Sequence, residues 1–176
     1  MKLVDTHLHL WNPQSIPYSW CAGIPELNHA FTMGDYLNAA EGIGITQAIF
    51  VECDADEPYS FEEAVAIQKL SCDYPMIAGM VASCRPERED FPAQLERLLE
   101  LPLLRGLRRV LHVMPDDLST GPLFSANISQ LARHGLTFDL CVQARQLPIA
   151  AKLIEQCPSV QFVLDHCGVP DIRNND

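Results

Sequence analysis

Short runs of apolar and β-branched residues recur along the chain, separated by stretches whose apolar positions fall at helical spacing. The strand candidates are Leu3–His9, Gln47–Cys53, Met76–Ser83, Gly106–His112, Thr137–Val142 and Val160–His166. Their recurrence every 25–35 residues, roughly, is the rhythm of repeated βα units. Between them, Phe91–Leu101, Ser125–His134 and residues 144–156 carry amphipathic helical patterns, with Pro148 in a first turn. Thr32-x-x-Asp35 and Ser60-x-x-Glu63 read as capping boxes, in which the two side chains satisfy orphan N–H groups of a helix start. Gly42 and Gly135 fit the left-handed position after a helix end. The one long irregular piece, Trp11–Ala30, holds prolines at 13, 17 and 25 and follows the first strand. In a barrel it is the first loop over the C-terminal strand ends, the side that carries function.

No linker or low-complexity tract divides residues 1–176, so a single domain is expected. The pattern predicts an α/β fold, a partial TIM (β/α)8 barrel with six βα units. Eight units need about 250 residues, so the last two strands are expected to be missing and the chain to be a fragment of a longer protein. An open sheet of this kind exposes strand edges unless a partner or a homo-oligomer covers them.

Alternation on the first strand puts Asp5, His7 and His9 on one face and Val4, Thr6, Leu8 and Leu10 on the other. A parallel strand buried on both faces is almost wholly apolar, so two inward histidines call for partners. Imidazoles two residues apart on a strand can chelate one metal ion. On the fourth strand Arg108 and His112 face inward, while Leu107, Arg109 and Leu111 face outward. On the fifth, Thr137, Asp139, Cys141 and Gln143 share the inward face. Asp139 lies deep enough to be a structural acceptor.

Composition narrows the field. Hydrophobic residues make up 48% of the chain, a globular proportion, and the formal charge is −11. That charge disfavours nucleic acid and anionic membranes as partners. Arg105, Arg108 and Arg109 form the one dense cationic group and look like an anion pocket. No apolar run approaches the ~18–20 residues of a membrane span, and the N-terminus shows no leader, so a cytoplasmic location is expected. Seven cysteines without a C-x-x-C pair read as reduced thiols. Cys53, Cys84, Cys141 and Cys167, near strand ends, are expected to be small buried packing residues. Glu52 and Asp54 are expected on a solvated rim.

Asp5-Thr6-His7-Leu8-His9-Leu10-Trp11 resembles the strand-one signature of the amidohydrolase superfamily. Trp11-Asn12-Pro13 and Asp165-His166-Cys167-Gly168-Val169-Pro170 are similar to its amidohydrolase 2 branch of sugar lactonases and pyrone-dicarboxylate lactonases. Residues 105–112 and 136–140 also fall where that branch has similar segments. The resemblance covers the whole chain in order. It implies a hydrolase that opens a lactone of a sugar acid or dicarboxylate with activated water. It also implies His7, His9 and His166 as catalytic residues: ligands of a divalent metal, zinc first, or polar groups around the substrate in members without metal. The family's essential aspartate comes from the last barrel strand, so no residue here takes that role, and the isolated chain is expected to be inactive.

Arg108 is expected to hold a substrate carboxylate or a lactone carbonyl, since a guanidinium fork suits planar oxygens. The alternative is an arginine salt-bridged beneath the barrel mouth. Gln143 could contact the small-molecule substrate. Trp20, with Tyr18, either covers a ring-shaped substrate or packs the loop down. Two rival readings remain: a decarboxylase or amide-hydrolysing member of the superfamily, and a non-catalytic truncated remnant. A metal-dependent phosphoesterase ranks last, because it needs more ligands than the six histidines supply.

Overall fold

The computed structural model describes residues 2–173. Met1 and the closing Asn174-Asn175-Asp176 lie outside the described residues. The chain forms two compact units, residues 1–83 with 98–104 and residues 84–97 with 105–176.

The first unit alternates strand and helix: β1 (Leu3–Leu8), α1 (Met33–Ala39), β2 (Ile45–Val51), α2 (Ser60–Asp73) and β3 (Ile77–Ser83). Its three strands run parallel in chain order. Ala48, Phe50, Val51, Ile77, Met80 and Val81 are buried, on both faces of their strands, as expected of parallel strands in βα units. The Thr32 capping box forms as the sequence indicates. Thr32 Oγ1 accepts the Asp35 N–H at 3.3 Å and an Asp35 oxygen accepts the Thr32 N–H at 2.8 Å.

The second box does not form. Ser60 is already helical, and its predecessor Tyr59 makes no side-chain cap. Glu63 is buried and turns to tertiary donors instead, the Tyr18 hydroxyl at 2.9 Å and the Cys53 N–H at 3.1 Å. A buried carboxylate takes the donors that enclose it, and these outcompete a solvated helix start.

The second unit holds most of α3 (Phe91–Leu99), then β4 (Leu104–Val110), α4 (Pro122–Ser129), β5 (Thr137–Cys141), α5 (Leu147–Gln156) and β6 (Gln161–Leu164). β4, β5 and β6 are parallel in that order. Phe124, Ile128, Leu131, Phe138, Leu140 and Leu153 make its core. Pro122 opens α4 at the position where its missing N–H costs nothing, so the helix starts earlier than its apolar pattern suggests. It ends in a 3-10 turn closed by Gly135 at φ +64°. Gly106 lets β4 and β5 approach closely, for a Cβ there would stand 2.1 Å from Thr137 Oγ1. On β6, Val163 and Leu164 are exposed, as expected of an uncovered strand. No helix among the described residues is long and apolar enough to cross a membrane.

Candidate active site

In the first unit the chemistry gathers where β1 ends. Between Asp5 and Leu8 the strand advances three residues while β2 advances two, from Ala48 to Phe50. Such a bulge re-aims the side chains beside it. His7 Nε2 and His9 Nε2 come within 3.1 Å, with the rings edge to face. His9 Nδ1 lies 2.8 Å from the Val51 carbonyl oxygen. A carbonyl only accepts, so Nδ1 carries the proton and, in the neutral ring, Nε2 holds the lone pair.

That arrangement fits a chelated cation. Two nitrogens each about 2.0–2.1 Å from one tetrahedral zinc stand about 3.3 Å apart, close to the separation seen. The carbonyl bond to the other ring nitrogen is the usual outer support of a ligating histidine.

Asp5 steadies the pair from behind. One of its oxygens accepts the His7 backbone N–H at 3.1 Å and the other accepts the Tyr36 hydroxyl at 3.0 Å. Burial, together with that bond to Asp5, pushes the Tyr36 phenol up to about 12. Burial and the neighbouring Glu63 raise Tyr18 as well. In the unfolded chain both phenols ionise near the ordinary value of 10.0. Above that pH the folded state therefore binds more protons than the unfolded state, and stability falls as pH rises. Urea midpoints are expected to hold steady up to about pH 9 and to drop by about pH 11, less steeply in Tyr36→Phe. An unchanged midpoint across that range would show that neither phenol is held protonated by the fold.

The loop after β1 packs onto the end of β2. Tyr18 is buried with its hydroxyl on Glu63, so it holds the loop down. Trp20 donates its indole N–H to the Cys53 carbonyl at 2.7 Å and stays 40% exposed. Glu52 is not a rim residue: it is fully buried and accepts the Asp54 N–H at 2.7 Å. Asp54, at φ +52°, turns the backbone to make that bond. An apolar groove of about 440 Å³ between this loop and α2 includes Trp11, Ile16, Phe31 and Leu70 in its lining but neither histidine.

In the second unit, Arg108 donates to Asp165 at 3.1 Å, with side chains 5% and 1% exposed. The guanidinium is thus engaged by a carboxylate of its own unit, the salt-bridged alternative weighed above. Arg109 pairs with Glu87 at 2.8 Å and Arg105 is exposed, so the arginines do not form one anion pocket. Facing positions on a strand, each with its own carboxylate, disperse what sequence proximity had grouped.

Asp139 accepts the Thr137 hydroxyl at 3.2 Å, the structural role expected of it. Gln143 precedes the turn at 144–146, where its N–H reaches Gln146 Oε1 at 2.9 Å and its own Oε1 accepts from Arg145 Nε at 3.0 Å. Arg145 forks onto both oxygens of Asp116, and Arg145 and then Gln146 hold that carboxyl below its usual range.

After β6, His166, Cys167, Gly168 and Val169 all have positive φ. His166 is exposed, and so is Cys167, which departs from the buried packing role expected of it. Left-handed backbone at three non-glycine residues is strained and marks sites held by their surroundings. Here the anchors are the Arg108 bond to Asp165 and the seat of Gly168 against Leu147.

The structure brings His7 and His9 together, ties Arg108 and Gln143 to neighbours of their own unit, and leaves the Trp20 ring part-exposed. The sequence pattern gives Glu63 a capping role in place of its tertiary one, and it does not point to the Asp5–Tyr36 bond. One signal was available for Glu63: Ser60, Glu63, Ala64 and Ile67 form the buried stripe of α2 at i, i+3, i+4 and i+7.

The sequence pattern of the family described as amidohydrolase matches residues 4–176. An L-fucono-1,5-lactonase from Burkholderia multivorans is 27% identical over 184 residues, covering 98% of this chain and 58% of the lactonase. Among solved structures, an amidohydrolase from Burkholderia multivorans with bound zinc aligns with a TM-score of 0.79 and 24% identity, over 94% of this chain and 57% of that one. A probable 2-pyrone-4,6-dicarboxylic acid hydrolase from Acinetobacter baumannii with citric acid bound aligns with a TM-score of 0.72 and 17% identity, over 96% and 59%. The chain thus spans less than two-thirds of the length of each of these proteins. The structural likeness establishes the fold, a partial TIM barrel.

Proposed function

The chain belongs to the amidohydrolase family, and from that premise we propose that it serves the hydrolysis of a lactone, the cyclic ester of a sugar acid or a dicarboxylate. The observation that carries this reading is the His7–His9 pair, with Nε2 atoms 3.1 Å apart and the His9 tautomer set by Val51. The named activities of its relatives, an L-fucono-1,5-lactonase and a probable 2-pyrone-4,6-dicarboxylic acid hydrolase, support an ester-opening substrate class.

In this reading His7 and His9 would hold a divalent cation, zinc by the donor set and by the zinc bound in a relative. When bound, it supplies Lewis acidity to the ester carbonyl and acidifies water. The chain's own residues do the positioning. Asp5 holds the His7 backbone and Val51 presents the His9 lone pair, while Arg108 fixes Asp165 next to His166. The exposed face of Trp20 would cover the substrate ring.

The natively expressed protein tests this directly. Its metal content is measured by plasma mass spectrometry, and its turnover is followed by acid release against sugar-acid lactones, pyrone dicarboxylates and a matched set of amides. For native protein that includes the family's last-strand aspartate, the expected result is about one equivalent of zinc and ring opening of at least one lactone, whereas residues 1–176 alone are expected to show no turnover. Turnover confined to amides would overturn the substrate class. Metal-free protein with no turnover at all would overturn the reading entirely.

A further inference from the structure

We propose that Cys141 and His112 form a reactive thiol–imidazole pair, making Cys141 the site at which a hydroperoxide oxidises this protein. The lactonase reading uses neither residue. Cys141 closes β5 and His112 follows the end of β4, and the paired register of Val110 with Cys141 brings them side by side. The backbone locks the pair in place, for the N–H groups of Leu111 and His112 both reach the Cys141 carbonyl at 3.0 Å. Cys141 Sγ then lies 3.2 Å from His112 Nδ1, within reach for proton transfer. An imidazole that takes the thiol proton leaves a thiolate, the nucleophilic form of cysteine.

Other thiols of the chain have different neighbours. Cys21, Cys84 and Cys157 point their sulfurs at the carbonyl oxygens of Tyr18, Arg108 and Ser125. Cys53 Sγ stands 3.6 Å from His9 Nδ1, but that nitrogen donates to Val51, and the Cys53 sulfur also meets the carbonyls of Leu10 and Val51. Exposed Cys72 lies 3.9 Å from the Gln68 carbonyl oxygen. Among these thiols the sulfur nearest an imidazole nitrogen is that of Cys141, 3.2 Å from His112 Nδ1 against 3.6 Å for Cys53 and His9.

The reaction balances without further components. The Cys141 thiolate attacks the distal oxygen of the hydroperoxide, the S–O bond forms and the O–O bond breaks. Sulfur is oxidised by two electrons to the sulfenic acid and the peroxide is reduced. The leaving oxygen takes the proton held by His112 and departs as water or an alcohol. Cys141 is 2% exposed while His112 is only part-buried, so the pair is open to a small oxidant from the ring side and closed to bulky electrophiles.

The test is oxidation of the native chain with hydrogen peroxide, a quench, unfolding in the presence of dimedone and peptide mass mapping. Cys141 is expected to gain the sulfenic-acid label at least about tenfold faster than Cys84, which is as buried, and than Cys72, which is exposed. His112→Gln is expected to slow Cys141 by about tenfold or more and to leave Cys72 unchanged. Cys141 oxidising no faster than Cys84 or Cys72 would overturn the proposal. So would an unchanged Cys141 rate in a folded His112→Gln. If that variant does not fold, the three-way comparison within the wild-type chain decides alone.

Discussion

Arg108→Ala is expected to lower the free energy of unfolding by about 3–5 kcal/mol, the usual cost of stranding one member of a buried ion pair. Both side chains are almost wholly enclosed, so solvent screening does not soften the loss. The surviving Asp165 carboxylate stays buried without its guanidinium, which is unfavourable. Arg108→Lys would recover only part of the loss, because an ammonium does not fill the place of the planar fork. Urea denaturation at neutral pH measures the difference. A loss below about 1 kcal/mol would mean that the pair behaves like a surface contact. A second readout follows from Asp165 preceding the left-handed turn at His166: amide exchange there should quicken in the variant more than exchange in the α5 helix.

Glu63→Ala is expected to cost about 2–4 kcal/mol, since it leaves the buried Tyr18 hydroxyl and the Cys53 N–H without their shared acceptor. Glu63→Gln keeps an acceptor oxygen in the same place and should cost less than half as much. The loop between β1 and α1 should loosen in the alanine variant. Trp20, tied to the Cys53 carbonyl, should report that through its fluorescence before global unfolding. If alanine and glutamine behave alike and both stay near wild type, Glu63 is not the pin that holds this loop.

The two variants concern residues that the chain's pattern treats in opposite ways. Arg108 was legible as inward-facing from strand alternation, but its partner lies 57 positions along the chain, and no local rule names it. Glu63 matched a capping signature, yet its place on the apolar stripe of α2 was the better guide, because burial decides where a carboxylate finds donors. Glu52 shows the same competition. A charged residue at a strand end reads as rim, and only the enclosing loop and the turned backbone at Asp54 reveal that it is buried and bonded.

The sequence by itself determined the six strands and the helices between them, the Thr32 cap, the Gly135 and Pro148 termini, and the nearness of His7 to His9. These depend on periods of two and 3.6 residues and on backbone conformations that neighbouring residues set. The tertiary structure alone decided which oxygen orients His9, which carboxylate holds Arg108, where Glu63 turns and which cysteine meets an imidazole. Each of those is a choice among partners distant in sequence. Burial settles it, by excluding water and leaving a polar group only the donors and acceptors that the packed neighbours present.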